Sequence, residues 1–392
     1  MKVIHTADLH LGFLTFREEN YERFKPLSFA IDYSISHNAQ LFIIAGDLFE
    51  ARDPSSSLEM GFAREVKRLT QAGIEVLIVT GNHDGPPNPE RNIHLDVYRM
   101  LAVEGVRISK KMEYIRIGDL NILTIPYPFK RNLLAKEEFR EKSEVEAGII
   151  MNQKIIEGLN QLLPEIDKTL PAILVAHLPL SEGVVGEEAY SSFTVDTPIS
   201  VEEIDRKEFS YIALGHFHKR QILTSKKFGH PFVYAGSIDR INFGEEMDDK
   251  GFYDIDIDES SKSISFSFVK NPYSRNFLTI NLKNESALEN IDFDKVKESI
   301  VRVIVSGDFS DEKKLKNIIE KVSNVALAFT GIEDRRTMYE QAFKSTFKVT
   351  ISPQEAIERY LDSKDDPFIK EKKEEILRRA IEILSNVEKK EQ

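Results

Sequence analysis

Six short runs in this chain are almost unbroken apolar and β-branched residues: Val3-Ile4-His5-Thr6, Leu41-Phe42-Ile43-Ile44-Ala45, Val76-Leu77-Ile78-Val79-Thr80, Ile122-Leu123-Thr124-Ile125, Ile173-Leu174-Val175-Ala176 and Tyr211-Ile212-Ala213-Leu214. A strand wet on one face alternates apolar with polar residues, so runs without that alternation predict strands covered on both faces. Between them, Tyr21 to Asn38 and Leu58 to Ala72 carry apolar residues at helical spacing. From Lys2 to about Lys270 the chain is thus expected to be an α/β domain.

Each of these runs but one ends in residues of metal-ligand type instead of ordinary turn residues. In chain order they are Asp8-Leu9-His10, Gly46-Asp47, Gly81-Asn82-His83-Asp84, His177 and Gly215-His216-Phe217-His218. Taken singly, each has a bland reading: a capping aspartate, a Gly-Asp or Gly-Asn turn, a satisfied core histidine. His216-Phe217-His218 is more specific, because period-two alternation puts both imidazoles on one side of an extended segment. In α/β sheets ligands gather at the carboxyl ends of strands, so the five blocks together predict convergence on one site. The chain has no cysteine, so there is no disulfide framework and no thiolate ligand, and any metal must be held by imidazole, carboxylate and amide.

The five blocks, in this order and separation, resemble the calcineurin-like metallophosphoesterases, whose signature runs Asp-x-His, Gly-Asp, Gly-Asn-His-Asp/Glu, a lone histidine, and Gly-His-x-His. The resemblance implies an α/β sandwich of two central sheets flanked by helices, with the site at the sheets' edge. It also implies two divalent cations, which together hold an attacking oxygen and the phosphate oxygens for in-line displacement. Asp47 matches the family's bridging carboxylate. By the same carry-over Asp8, His10 and His218 complete one metal site, and Asn82, His177 and His216 the other. Oxygen and imidazole ligands without sulfur suit Mn2+, with iron or zinc as alternatives. His83, beside a ligand but turned to the substrate in the family, is the catalytic residue expected to protonate the leaving oxygen or stabilise the pentavalent transition state, with Asp84 expected to orient it.

Within the family, Ser/Thr protein phosphatases follow the second block with Asp-Arg-Gly, whereas here it continues Leu48-Phe49-Glu50-Ala51-Arg52. His5-Thr6-Ala7-Asp8-Leu9-His10-Leu11-Gly12, Gly46-Asp47-Leu48-Phe49 and Tyr234-Ala235-Gly236-Ser237-Ile238-Asp239-Arg240-Ile241-Asn242-Phe243-Gly244-Glu245 instead resemble the SbcD type, also called the meiotic recombination eleven family of DNA double-strand-break repair nucleases. One departure stands out: some members have a histidine after Gly-Asp-Leu-Phe, where this chain has Glu50. Glu50 is therefore left outside the expected site.

Three segments are expected: a nuclease domain at 1–270, a small α+β capping, DNA-contacting domain with linker at 271–350, and C-terminal helices at 351–392. In the second, the pattern predicts strand Phe277 to Leu282, helix Asp294 to Ile300, strand Val301 to Val305, helix Asp311 to Val322 and strand Val325 to Phe329, with a polar tether from Gly331 to Thr350. Ser352-Pro353-Gln354-Glu355 has the residues of a helix start, and a break at Asp365-Asp366-Pro367 precedes a second amphipathic stretch. This helical hairpin either packs on its own protein or docks a partner. The resemblance favours the base of an SbcC-type, SMC-like coiled-coil ATPase, with Ile357, Tyr360, Leu361, Ile376, Leu377 and Ile381 as anchors. It also implies a homodimer through Leu58 to Thr70 and Ile93 to Leu101, although Leu95, Val97, Tyr98 and Leu101 equally fit a core.

The net charge of −12 argues against a chain that coats nucleic acid by its overall field, so contact with DNA must be local, metal-assisted or shared. No apolar run approaches the roughly 18 residues that span a bilayer, and no signal peptide is read at the start, so a cytoplasmic protein is expected. The function the resemblance implies is a manganese-dependent DNA exonuclease or endonuclease of double-strand-break repair. The alternative is a small-molecule phosphodiesterase or nucleotide pyrophosphatase on the same dinuclear site, and a non-catalytic scaffold is a third reading.

Overall fold

The computed structural model describes residues 1–12, 24–85, 93–135, 137–184, 197–307, 309, 311–336, 373, 377 and 379. They fall into two compact units: Met1–Thr279 with Asp292–Val301 and Lys321–Thr330, and Ile280–Ile291 with Arg302–Glu320 and the described residues from Gly331.

Two six-stranded mixed sheets form the body of the first unit. One is ordered β12-β11-β1-β2-β3-β4, built from β1 (Lys2–Thr6), β2 (Leu41–Ala45), β3 (Glu75–Val79), β4 (Val106–Ser109), β11 (Gly251–Ile257) and β12 (Ile264–Lys270). The other is ordered β5-β6-β7-β8-β10-β9, from β5 (Glu113–Ile117), β6 (Leu120–Ile125), β7 (Ala172–His177), β8 (Tyr211–Gly215), β9 (Gln221–Thr224) and β10 (Pro231–Tyr234). The central pairs β1·β2, β2·β3, β6·β7 and β7·β8 are parallel. Parallel neighbours send their carboxyl ends the same way, which places the ligand blocks of one sheet at one edge.

Period-two geometry divides each strand between two cores. Val3, Leu41, Ile43, Leu77 and Val79 of the first sheet meet Ile122, Ile173, Val175, Tyr211 and Ala213 of the second. The intervening residues face outward: Ile4, Phe42, Ile44, Val76 and Ile78 pack with Leu27, Ile31, Phe62, Val66 and Leu69, from helices α1 (Lys25–Ser36) and α2 (Ser56–Gln71). Leu123, Leu174, Ile212 and Leu214 of the second sheet pack with Ile155 and Leu159 of a later helix, Glu144–Leu162. Burial on both faces is why these strands read as continuous apolar runs. The sandwich of two sheets with flanking helices is the architecture expected from the sequence.

A third sheet of three strands is ordered β13 (Asn276–Leu282), β14 (Ser299–Val305), β15 (Ala328–Asp334). Gly331 to Asp334, expected to begin a tether, are thus the end of a strand. The helical hairpin at 351–392 lies outside the described residues except Lys373, Leu377 and Arg379, which are helical.

Candidate metal centre

Asp8 follows β1, Asp47 follows β2, Asn82 and His83 follow β3, His177 ends β7, and His216 and His218 follow β8. Parallel pairing aligns these ends within each sheet, and short cross-sheet contacts join the two sets. His177 Nδ1 donates to the Ala45 carbonyl at 2.8 Å, and both Asp8 oxygens accept from the His216 amide at 3.1 Å. Such approach requires glycine. A Cβ on Gly46 would lie 1.9 Å from His177 Nδ1, and one on Gly215 1.9 Å from the Ala45 oxygen.

The ligand loops also hold unusual backbone. Asp8, His10, Asp47 and His216 have φ of 50°, 41°, 50° and 105°. Non-glycine residues there cost on the order of 1–3 kcal/mol each and persist where their surroundings over-determine them. Here the constraints are visible: Asp8 N and His10 N donate to the Gly46 and Asp47 carbonyls at 3.0 and 3.1 Å, and Asp47 Oδ1 accepts from His83 N at 2.8 Å.

Donor atoms of Asp8, His10 and His218 lie within 4.8 Å of one another, as do those of Asp8, Asp47 and His177. His10 Nε2 is 3.1 Å from His218 Nε2. Asn82 Oδ1 is 3.0 Å from His177 Nε2 and 3.1 Å from His216 Nδ1. Between the two sets, Asp47 Oδ2 is 3.7 Å from His10 Nε2 and 3.4 Å from His177 Nε2. All seven residues expected as ligands are thus brought together. Asp8 and Asp47 are buried, and burying carboxylates is costly without a compensating positive charge.

Protonation reflects that need. Burial pushes the His177 imidazole down, but neighbouring Asp47 reverses this and holds it up at about 9. Burial raises the Asp47 carboxyl, yet His177, His10 and His83 hold it well below the usual carboxylate range. Burial lowers His218 while Glu245 raises it, with a net rise. Protons on the imidazoles supply charge that divalent cations would supply in their place. Buried carboxylates, inward-facing imidazoles and an amide oxygen therefore fit a dinuclear centre of hard or borderline divalent cations.

His83 sits at the rim, 34% exposed. Its Nδ1 donates to the Glu50 carbonyl at 2.9 Å, which leaves Nε2 for a substrate. Asp84 does not orient it as expected: its oxygens accept from Leu48 N at 3.0 Å and Gly81 N at 2.9 Å, tying two ligand loops together. Burial and the Asp47 charge push the Asp84 carboxyl up to about 6.

Three neighbours were not read from the sequence as part of the site. Glu50, set aside there, accepts from His10 Nδ1 at 2.7 Å. Glu245 accepts from His218 Nδ1 at 3.1 Å and is itself held by buried Lys250 at 2.7 Å. Tyr127 stacks on His216 with ring centres 5.7 Å apart. Glu245 lies in the quoted Tyr234–Glu245 segment, and Tyr127 just beyond β6, the one apolar run with no ligand at its end. Position alone was the signal for both.

Residues 1–220 match the family described as calcineurin-like phosphoesterase. That span is more than half of the chain, and the chain belongs to this family: it is a metal-dependent phosphoester hydrolase. Its sequence is similar to that of the DNA double-strand break repair protein Mre11 of Sulfurisphaera tokodaii, with 29% identity over 344 residues covering 83% of this chain and 78% of that protein. This agrees with the SbcD-type resemblance. A solved dimetal phosphatase from Danio rerio overlaps with TM-score 0.42 and 11% identity, covering 70% of this chain and 99% of that one.

Proposed function

We propose that this chain is a manganese-dependent DNA nuclease of double-strand-break repair, cutting phosphodiester bonds with a pair of cations. The observation that carries the two-cation reading is Asp47 Oδ2, which lies within 4 Å of a histidine from each ligand set. Asp8, His10 and His218 would hold one cation and Asn82, His177 and His216 the other, with Asp47 shared. Bound there, divalent cations would supply the charge that activates water and neutralises the phosphate oxygens. The chain's own proton donor is His83, whose Nε2 hands a proton to the departing oxygen. The DNA reading is supported by the similarity to the S. tokodaii repair protein.

The domain at 271–350 is taken as a DNA-contacting cap, and 351–392 as the docking element for an SbcC-type ATPase. A homodimer is supported by an exposed apolar cluster at helix α3 (Asp96–Met100), where Val97, Met100 and Leu101 are exposed. Leu95 belongs to the core and Tyr98 packs against it.

The test is hydrolysis with manganese of plasmid and hairpin DNA, set against bis(p-nitrophenyl) phosphate and cyclic nucleotides. DNA cleavage supports the nuclease. Turnover of cyclic nucleotides with intact DNA would favour the small-molecule phosphodiesterase.

A further inference from the structure

Glu50 stands next to the metal centre where some members of the family have a histidine, and its side chain is committed. Its Oε2 accepts from His10 Nδ1 at 2.7 Å, whereas His83 Nδ1 is 3.8 Å away, beyond a hydrogen bond. The His10 side chain is 1% exposed and Glu50 32%, so one partner is immobilised and the other reaches in from the rim. The Glu50 backbone is fixed as well, its amide donating to the Leu11 carbonyl at 3.1 Å.

From this geometry we infer that Glu50 is a positioning residue for the cation held by Asp8, His10 and His218, an inference that rests on the dinuclear reading above. An imidazole that presents Nε2 to a cation keeps its proton on Nδ1, and a carboxylate accepting that proton fixes both tautomer and ring orientation and strengthens the ligand. His10 Nε2, 3.1 Å from His218 Nε2, is the nitrogen that faces the shared position. The same logic excludes His10, Glu50 and His83, whose donor atoms also cluster, as a third cation site: Nδ1 of His10 is a donor there and has no lone pair to offer. His218 has a matching support, with Glu245 accepting from its Nδ1 at 3.1 Å. In the other set, His177 Nδ1 donates to a neutral backbone carbonyl, that of Ala45. Carboxylates thus stand behind both imidazoles of the Asp8/His10/His218 set.

Calorimetric titration of the metal-free full chain with Mn2+ tests this. The wild type should bind in two unequal steps. Glu50→Ala should weaken one of the two steps by roughly 10- to 100-fold, the usual loss when such a supporting carboxylate is removed, and leave the other unchanged. Glu50→Gln, whose amide oxygen still accepts from Nδ1, should lose less, and it guards against a folding defect in the alanine variant. Wild-type isotherms for both variants would overturn the inference. So would weakening of both steps alike, or outright disappearance of one equivalent, since the last would make Glu50 a ligand. If the wild type binds no Mn2+, the dinuclear reading itself has failed.

Discussion

Replacing Gly46 by alanine tests whether the site depends on the close approach of the two sheets. Gly46 has φ +95°, and an added Cβ would meet His177 Nδ1 at 1.9 Å, Cγ at 2.5 Å and Cε1 at 2.7 Å. Ordinary contacts are about 3.5–4 Å, so one side must move by more than an ångström. The His177 ring cannot yield cheaply, being fully buried and bonded to the Ala45 carbonyl. Three costs combine: about 1–2 kcal/mol for left-handed backbone in a residue with Cβ, about 1–3 kcal/mol for overpacking, and about 1 kcal/mol for the strained His177 hydrogen bond. A loss of about 3–6 kcal/mol is a large part of the roughly 5–15 kcal/mol that holds a domain folded. Urea unfolding of the metal-free protein should show a lower midpoint with unchanged slope, and Mn2+ titration should show weakened binding at the His177 site. Gly73→Ala is the control, because it has φ +75° but nothing within 4 Å of its Cβ, so it isolates the backbone cost. If Gly46→Ala loses no more stability than Gly73→Ala and binds Mn2+ normally, the close-approach argument is wrong.

Asp47→Ala should abolish hydrolysis and lower metal content, since its Oδ2 lies close to histidines of both sets; two metals per chain by elemental analysis would refute its bridging role. His83→Ala should keep its metals while turnover falls by about 10²–10⁴-fold, as for a lost general acid; loss of a metal equivalent would make His83 a ligand instead. Burial holds the His5 imidazole down at about 3, while the unfolded chain titrates near 6.5. The unfolded state therefore takes up the proton first. His5's contribution to stability is full above about 6.5, falls as the pH drops and is exhausted near 3, the loss amounting to about 2 kcal/mol at pH 5. His5→Gln should flatten that acid limb in urea titrations between pH 7 and 4, and an unchanged limb would count against it.

The sequence by itself determined the class of fold and the contents of the site. Strands buried on both faces have to be apolar throughout, so β1, β2, β3, β6, β7 and β8 were legible as runs, and ligands at their carboxyl ends were legible as exceptions to turn chemistry. Strands with a wet face were not: β5 and β12 mix half-buried and exposed positions, so no continuous run marks them. The helix Glu144–Leu162 went unread although its capping box, Ser143 with Glu146, was present in the residues. Only the tertiary structure decided what stands behind the ligands. Glu50 and His10 are 40 residues apart, and Glu245 and His218 are 27 apart. No local pattern encodes such pairs, because a hydrogen bond across loops depends on where two sheets set their edges. The same holds for Asp84, which from its place beside His83 promised to orient that imidazole and instead ties Gly81 to Leu48. Adjacency in the chain fixes which residues are available, and packing of the sheets fixes which atoms meet.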